Sequence, residues 1–135
     1  MSIILLNLKS LTQPNYQLFN MNNLQTGVDG QQWGQLSVAQ GQPVKLTVNE
    51  NPTTGYEWTM TANECGTRLT SLGDTYTRSA SNDMMMGAGG VKTFSFQAAS
   101  NAAGNCNMRF VLKRPWEQDM LGAPEKFINV NFRPL

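Results

Sequence analysis

From Leu36 onward, apolar and polar residues alternate with a period of two in short runs separated by Gly, Pro and Asn. That period is the mark of half-buried β-strands. Leu36 and Val38 form the first run, which ends at the turn residues Gln40-Gly41-Gln42-Pro43. Val44, Leu46 and Val48 then face one way, with Lys45 and Thr47 opposite. Tyr56, Trp58 and Met60 make the next inward set, and a weaker, more polar run spans Asp74 to Arg78. Phe94, Phe96 and Ala98 follow, then Cys106, Met108, Phe110 and Leu112 with Arg109 and Lys113 outward, and finally Ile128, Val130 and Phe132. About seven strands within about 100 residues, with no amphipathic helical period, predict an all-β, two-sheet sandwich. Residues 1–33 lack this pattern and are expected to supply an N-terminal extension or edge strand, with 34–135 as the sandwich core of a single domain.

Successive antiparallel strands reverse direction, so the loops between them alternate between the two ends of a sandwich. The second, fourth and sixth loops then share one end, provided no extra strand lies between Ala62 and Asp74. These loops run from Asn49 to Gly55, from Ser79 to Gly90 and from Arg114 to Glu125, and they are the least generic parts of the chain.

The first of them reads Asn51-Pro52-Thr53-Thr54-Gly55-Tyr56. Proline fixes its own φ and keeps the preceding residue out of the helical region, while glycine permits positive φ. Asn and Thr side chains hydrogen-bond nearby backbone, so a stiff, polar, uncharged wedge is expected. A plain turn would use the same residue types. The second loop holds Met84-Met85-Met86-Gly87-Ala88-Gly89-Gly90. Its glycines let another chain approach the backbone closely, beside adaptable apolar side chains; methionines tucked under a hairpin would read the same way. No Gly-Lys-Ser/Thr follows, so a phosphate cradle is disfavoured. The third loop opens Arg114-Pro115-Trp116. Arg and Trp are enriched at binding hot spots, although the Trp can instead fold back over the end of the sandwich. Trp58, on a strand, is assigned to packing.

Composition narrows the chemistry. Among 135 residues there is no histidine, which excludes Ser-His-Asp and Cys-His nucleophile pairs and imidazole zinc sites. A formal charge of +1 with 14% charged residues removes the usual footprint of a nucleic-acid or anionic-membrane binder. Fourteen Asn, ten Gln, twelve Thr and twelve Gly leave a polar, uncharged, turn-rich background. The acids Glu50, Glu57, Asp74 and Asp83 have no evident pairing in the sequence, so an enzyme is not expected.

The start of the chain holds Ile3-Ile4-Leu5-Leu6 interrupted by Asn7. It lacks the basic region and the longer apolar core of a secretory signal, so a cytoplasmic protein is expected. In that compartment Cys65 and Cys106 are expected as free thiols, with a single disulfide as the alternative.

Taken together, the three loops resemble those of the chagasin-like family of cysteine peptidase inhibitors. That family carries an NPTTG-aromatic loop, a GxGG loop and an RPW or RPF loop in this order. Asn51 to Tyr56 matches the first, Gly87-Ala88-Gly89-Gly90 the second and Arg114-Pro115-Trp116 the third. The resemblance covers about Leu36 to Phe132. It implies an immunoglobulin-like β-sandwich of about seven to eight strands and reversible, competitive, tight inhibition of papain-like peptidases. It also implies a binding set of Asn51, Pro52, Thr53, Thr54, Gly55, Tyr56, Met85, Met86, Gly87, Ala88, Gly89, Gly90, Arg114, Pro115 and Trp116. Thr53 and Thr54 would cover the peptidase's catalytic cysteine, and Gly87 to Gly90 would pair with the unprimed side. Met85 and Met86 would lie near the S2 pocket, and Trp116 on the primed side. No cofactor, no nucleic acid, no membrane and a monomeric inhibitor are implied. The alternative is an immunoglobulin-like adhesion or carbohydrate-binding module using the same loop end.

Overall fold

A computed structural model describes residues 16–24, 33–78, 89–117 and 123–135. Among the described residues there are eight strands: β1 (Gln17–Asn20), β2 (Trp33–Ala39), β3 (Pro43–Glu50), β4 (Glu57–Asn63), β5 (Leu69–Arg78), β6 (Gly90–Ala98), β7 (Asn105–Lys113) and β8 (Glu125–Arg133). They form two four-stranded sheets, ordered β1-β3-β6-β5 and β2-β8-β7-β4. This is the two-sheet sandwich expected from the alternation, and it is consistent with the immunoglobulin-like form that the resemblance implies. No strand intervenes between β4 and β5, only a 3-10 turn at Gly66–Arg68, so the loop parity stands.

The period-two residues face one another across the sheets. Val44, Leu46, Val48, Phe94, Phe96 and Leu69 from one sheet meet Leu36, Val38, Trp58, Met108, Phe110, Ile128 and Val130 from the other. Phe94 and Phe110 are in tilted contact at 4.9 Å between centroids, a favourable geometry for paired rings. Two assignments change. The fifth strand begins at Leu69, earlier than its polar sequence suggests; it is a sheet edge, and its residues from Thr70 to Thr75 are exposed. Tyr56 precedes β4 and is not a core residue; its ring belongs to the loop end described below.

The N-terminal arm crosses from one sheet to the other. Strand β1 pairs parallel with β3, and β2 pairs parallel with β8. Between them, Met21 begins a short 3-10 turn and is fully buried in the core. The turn is pinned from both sides, because the Asn49 backbone N–H donates to Asn22 Oδ1 at 2.8 Å and Lys126 Nζ donates to the Leu24 carbonyl at 2.7 Å. A parallel edge pairing leaves little sequence pattern, which is why only the possibility of an edge strand was legible.

Cys65 and Cys106 form a disulfide, which corrects the expectation of free thiols. Cys65 follows β4 and Cys106 lies near the start of β7, so the bond sits at the end of the sandwich opposite the three loops. Their burial makes them look like ordinary core residues; sequence carries no information on the 5.1 Å Cα separation that permits the bond. A link across 41 residues removes about 4 kcal/mol of unfolded-state entropy in the chain-entropy treatment. The Cys65→Ala/Cys106→Ala variant is accordingly expected to lose about 2–4 kcal/mol in denaturant titration while keeping the fold. An unchanged midpoint would show that the link adds no stability.

Candidate functional site

Strands β3, β5 and β7 end, and β4, β6 and β8 begin, at one end of the sandwich. There the first loop crosses between sheets, while the other two close hairpins within one sheet each. The first loop is a wedge braced by its own side chains. Pro52–Thr54 form a single 3-10 turn. Asn51 Oδ1 accepts from the Thr53 backbone N–H at 3.1 Å and from the Thr53 hydroxyl at 2.7 Å. The Thr54 hydroxyl donates to the Asn51 carbonyl at 2.9 Å and accepts from the Tyr56 N–H at 3.3 Å. Thr53 and Thr54 are exposed, yet both hydroxyls are committed to the loop itself. Gly55 closes the turn at φ +82°, a conformation that residues with a Cβ adopt only with strain.

The third loop leans on the first. The Arg114 guanidinium lies 4.7 Å from the Tyr56 ring centroid and 5.9 Å from that of Trp116, within the range of cation–π attraction. A Cβ on Gly55 would meet the Trp116 ring at 3.5 Å and the Arg114 side chain at 3.8 Å. Trp116 is nevertheless 74% exposed: it is presented by the loop end and not folded into it. Glu117 braces this turn. Its carboxylate accepts from the Arg114 N–H at 3.2 Å, its own N–H donates to the Arg114 carbonyl at 3.0 Å, and its carbonyl accepts from Lys113 Nζ at 2.8 Å. Glu117 carries no sequence signal beyond following the Arg-Pro-Trp run.

Of the second loop, Gly89 and Gly90 are described; Met85, Met86, Gly87 and Ala88, like Asp83, lie outside the described residues. Gly89 sits against the first loop, where an added Cβ would come within 3.0 Å of the Glu50 carbonyl oxygen and 3.6 Å of Asn51 Cβ. Gly90 is enclosed more tightly. A Cβ there would collide with the Thr77 carbonyl oxygen and lie 2.7 Å from the Tyr76 hydroxyl. The fold itself therefore requires glycine at position 90.

Beneath the loops the interior turns polar. The last inward side chain of β3 and the first of β6 and of β8 are Glu50, Lys92 and Lys126, all buried. Glu50 accepts the Trp58 backbone N–H at 2.7 Å. Lys92 Nζ lies 3.4 Å from Glu57 and 3.8 Å from Asp74. Lys126 stands 5.4 Å over the Trp58 ring, and burial pushes its pKa down. Three of the acids that look unrelated in sequence thus gather around one lysine. Burial raises the Glu50 pKa above its ordinary value, against lowering by the Trp58 N–H and by Lys92; Glu57 and Asp74 add to the rise. Among the described residues, no cluster of His, Cys, Asp and Glu is arranged to hold a metal ion, and no helix is long and apolar enough to cross a membrane.

The described parts of the first and third loops thus pack on one another at one end of an all-β sandwich. Residues 37–131 match the sequence profile of the chagasin family peptidase inhibitor I42. The chain belongs to the chagasin family of peptidase inhibitors. Among solved structures it is similar to EhICP2, a cysteine protease inhibitor from Entamoeba histolytica, with TM-score 0.63 and 17% identity over 90% of this chain and 100% of that one. It is also similar to amebosin, with TM-score 0.62 and 21% identity over 90% and 100%. PbICP-C, solved in complex with falcipain-2, gives TM-score 0.52 and 15% identity over 87% and 99%. None of the curated proteins compared matches the chain.

Two stability measurements check this geometry. Gly90→Ala should cost about 1–3 kcal/mol through forced displacement of β5; a parent-like midpoint would mean that the strand yields freely. A carboxyl whose pKa is raised in the folded state stabilises the fold while protonated, and that contribution is lost as pH rises through the folded pKa. Glu50→Gln should therefore melt no lower than the parent at neutral pH, and any gain should shrink as pH falls toward the ordinary carboxyl value of 4.5. A gain that grows on acidification would contradict the sign.

Proposed function

We propose that the chain inhibits papain-like cysteine peptidases reversibly and competitively, by laying its three-loop end into the active-site cleft. The observation that carries this reading is the packing of the motifs against one another: Arg114 between Tyr56 and Trp116, and Gly89 against Glu50 and Asn51. The complex of the structurally similar PbICP-C with falcipain-2 supports the choice of target class.

In this reading Thr53 and Thr54 stand over the peptidase's catalytic cysteine. With both hydroxyls bonded within the loop, the wedge resists being drawn into the extended form that a substrate adopts. Gly87 to Gly90 add backbone hydrogen bonds along the unprimed side, a form of β-augmentation. Met85 and Met86 fill the neighbouring apolar S2 pocket with side chains that adapt to several enzymes. Trp116 anchors the primed side, held at its angle by Arg114 and Pro115. Three loops in one cleft would bury about 800 Å² on each partner, as is usual for protease–inhibitor pairs. Residues 1–135 act as one monomeric inhibitor domain.

The compartment follows from the disulfide more than from the N-terminus. Disulfides persist in oxidising surroundings and are rare in the cytosol, so the Cys65–Cys106 bond favours an oxidising compartment over the cytoplasm expected from the sequence. Rapid alkylation of thiols in intact cells, followed by mass measurement, should find both cysteines protected; free thiols would restore the cytoplasmic reading.

Titration of papain with the purified protein should give stoichiometric, competitive inhibition, and its absence would sink the proposal. Trp116→Ala should weaken inhibition about thirty-fold, the effect of losing a hot spot worth about 2 kcal/mol. Thr53→Val/Thr54→Val should weaken it about ten-fold by loosening the wedge. Parent-like inhibition by both variants would remove the three-loop mechanism.

A further inference from the structure

The inhibitory wedge springs from two different sheets, so something must fix the separation of its stems. Residues 51–56 leave β3 at Glu50 and enter β4 at Glu57. Strands β3 and β4 are not neighbours in either sheet, and no ladder of backbone hydrogen bonds joins them. We infer that Glu50 is a positioning residue for the wedge: its buried side chain spans the gap between the sheets and accepts the Trp58 backbone N–H, tying the last residue of one stem to the second residue of the other.

The surroundings make this bond decisive. Trp58 is itself buried, so its N–H would have no water to turn to. The backbone of Glu50 is also paired with Gly90, and its carbonyl oxygen lies 3.0 Å from where a Cβ on Gly89 would stand. One residue therefore sets the first loop against the second. The groups facing its carboxylate are Lys92 on β6, Glu57 on β4 and Asp74 on β5, with Lys126 of β8 beyond, over the Trp58 ring. Lys92 has Glu57 and Asp74 as its own ionic partners, at 3.4 and 3.8 Å. What the wedge requires from position 50 is an acceptor with the reach of a glutamate; a negative charge is dispensable there. A carboxylate in that place is even disfavoured by burial, which accords with a positional role.

Two conservative variants separate reach from charge. Glu50→Gln keeps the reach and loses the charge, whereas Glu50→Asp keeps the charge and is one methylene short. This inference rests on the inhibitory reading above, so inhibition of papain is measured together with amide hydrogen exchange at Trp58 and Thr54, which needs no peptidase. Glu50→Gln should inhibit within about three-fold of the parent and keep its amide protection. Glu50→Asp should inhibit at least ten-fold less well, through faster dissociation, with exchange at Trp58 and Thr54 accelerated and the β6–β7 core amides still protected. The reverse order, a potent Asp variant and a weak Gln variant, overturns the inference in favour of a charge requirement. Parent-like inhibition by both overturns it as well. If the parent itself fails to inhibit papain, the functional reading falls, and the exchange data alone decide whether Glu50 holds the wedge: unchanged protection in the Asp variant refutes it.

Discussion

The end of the sandwich that carries the loops is governed by one requirement: where the apolar core gives out, every polar group must still find a partner. Unpartnered N–H groups and charges are expensive to bury. Aromatic and aliphatic layers fill the middle of the sandwich, but the inward side chains nearest the loops on β3, β6 and β8 are Glu50, Lys92 and Lys126. Each is satisfied by something that the loop end needs in place: the Trp58 backbone, the acids of β4 and β5, and the Leu24 carbonyl of the N-terminal arm. The polar layer thus joins the two sheets just below the point where the loops diverge. It costs desolvation and gives definition in return, since a purely apolar layer would leave the loop stems free to slide.

Rigidity is what a peptidase inhibitor needs from such a platform. A flexible peptide that enters a protease cleft loses conformational freedom and presents its bonds in attackable geometry, while a preorganised surface has already lost that freedom on folding. Asn51 and Thr54 organise the first loop internally. Arg114 couples it to Trp116, and Glu117 closes the turn that carries both. The few charges of this near-neutral chain are in part spent inside, where Lys92 pairs with Glu57 and Asp74 beneath the loops.

The strands were legible because burial on one face imposes a period of two, and β3, β6, β7 and β8 obey it almost without exception. Tyr56 continues that period by accident; a loop residue at the correct parity is indistinguishable from a strand residue until Arg114 is seen on its ring. The edge strand β5 was half visible, because an exposed strand of Thr, Ser and Asp has no apolar face to announce it. The three motifs could be found from their residues, and their convergence from parity alone. The layer beneath them could not. Glu50 and Lys92 occupy inward positions of alternating strands where a hydrophobic residue is expected, and only the pairing of β3 with β6 brings both under the same loops.

The disulfide has a topological meaning beyond stability. Cys65 and Cys106 bracket the segment that contains the whole second loop, while the first and third loops lie outside that bracket. A peptide bond cut anywhere between the two cysteines leaves a nicked but covalently single molecule. A cut at Thr53 or Trp116 would produce two chains held only by the sheets. The three loops thus run unequal risks in the presence of an enzyme built to cleave chains. The glycine-rich loop is the one whose severing the molecule is wired to survive, and the wedge and the tryptophan turn must rely on their stiffness.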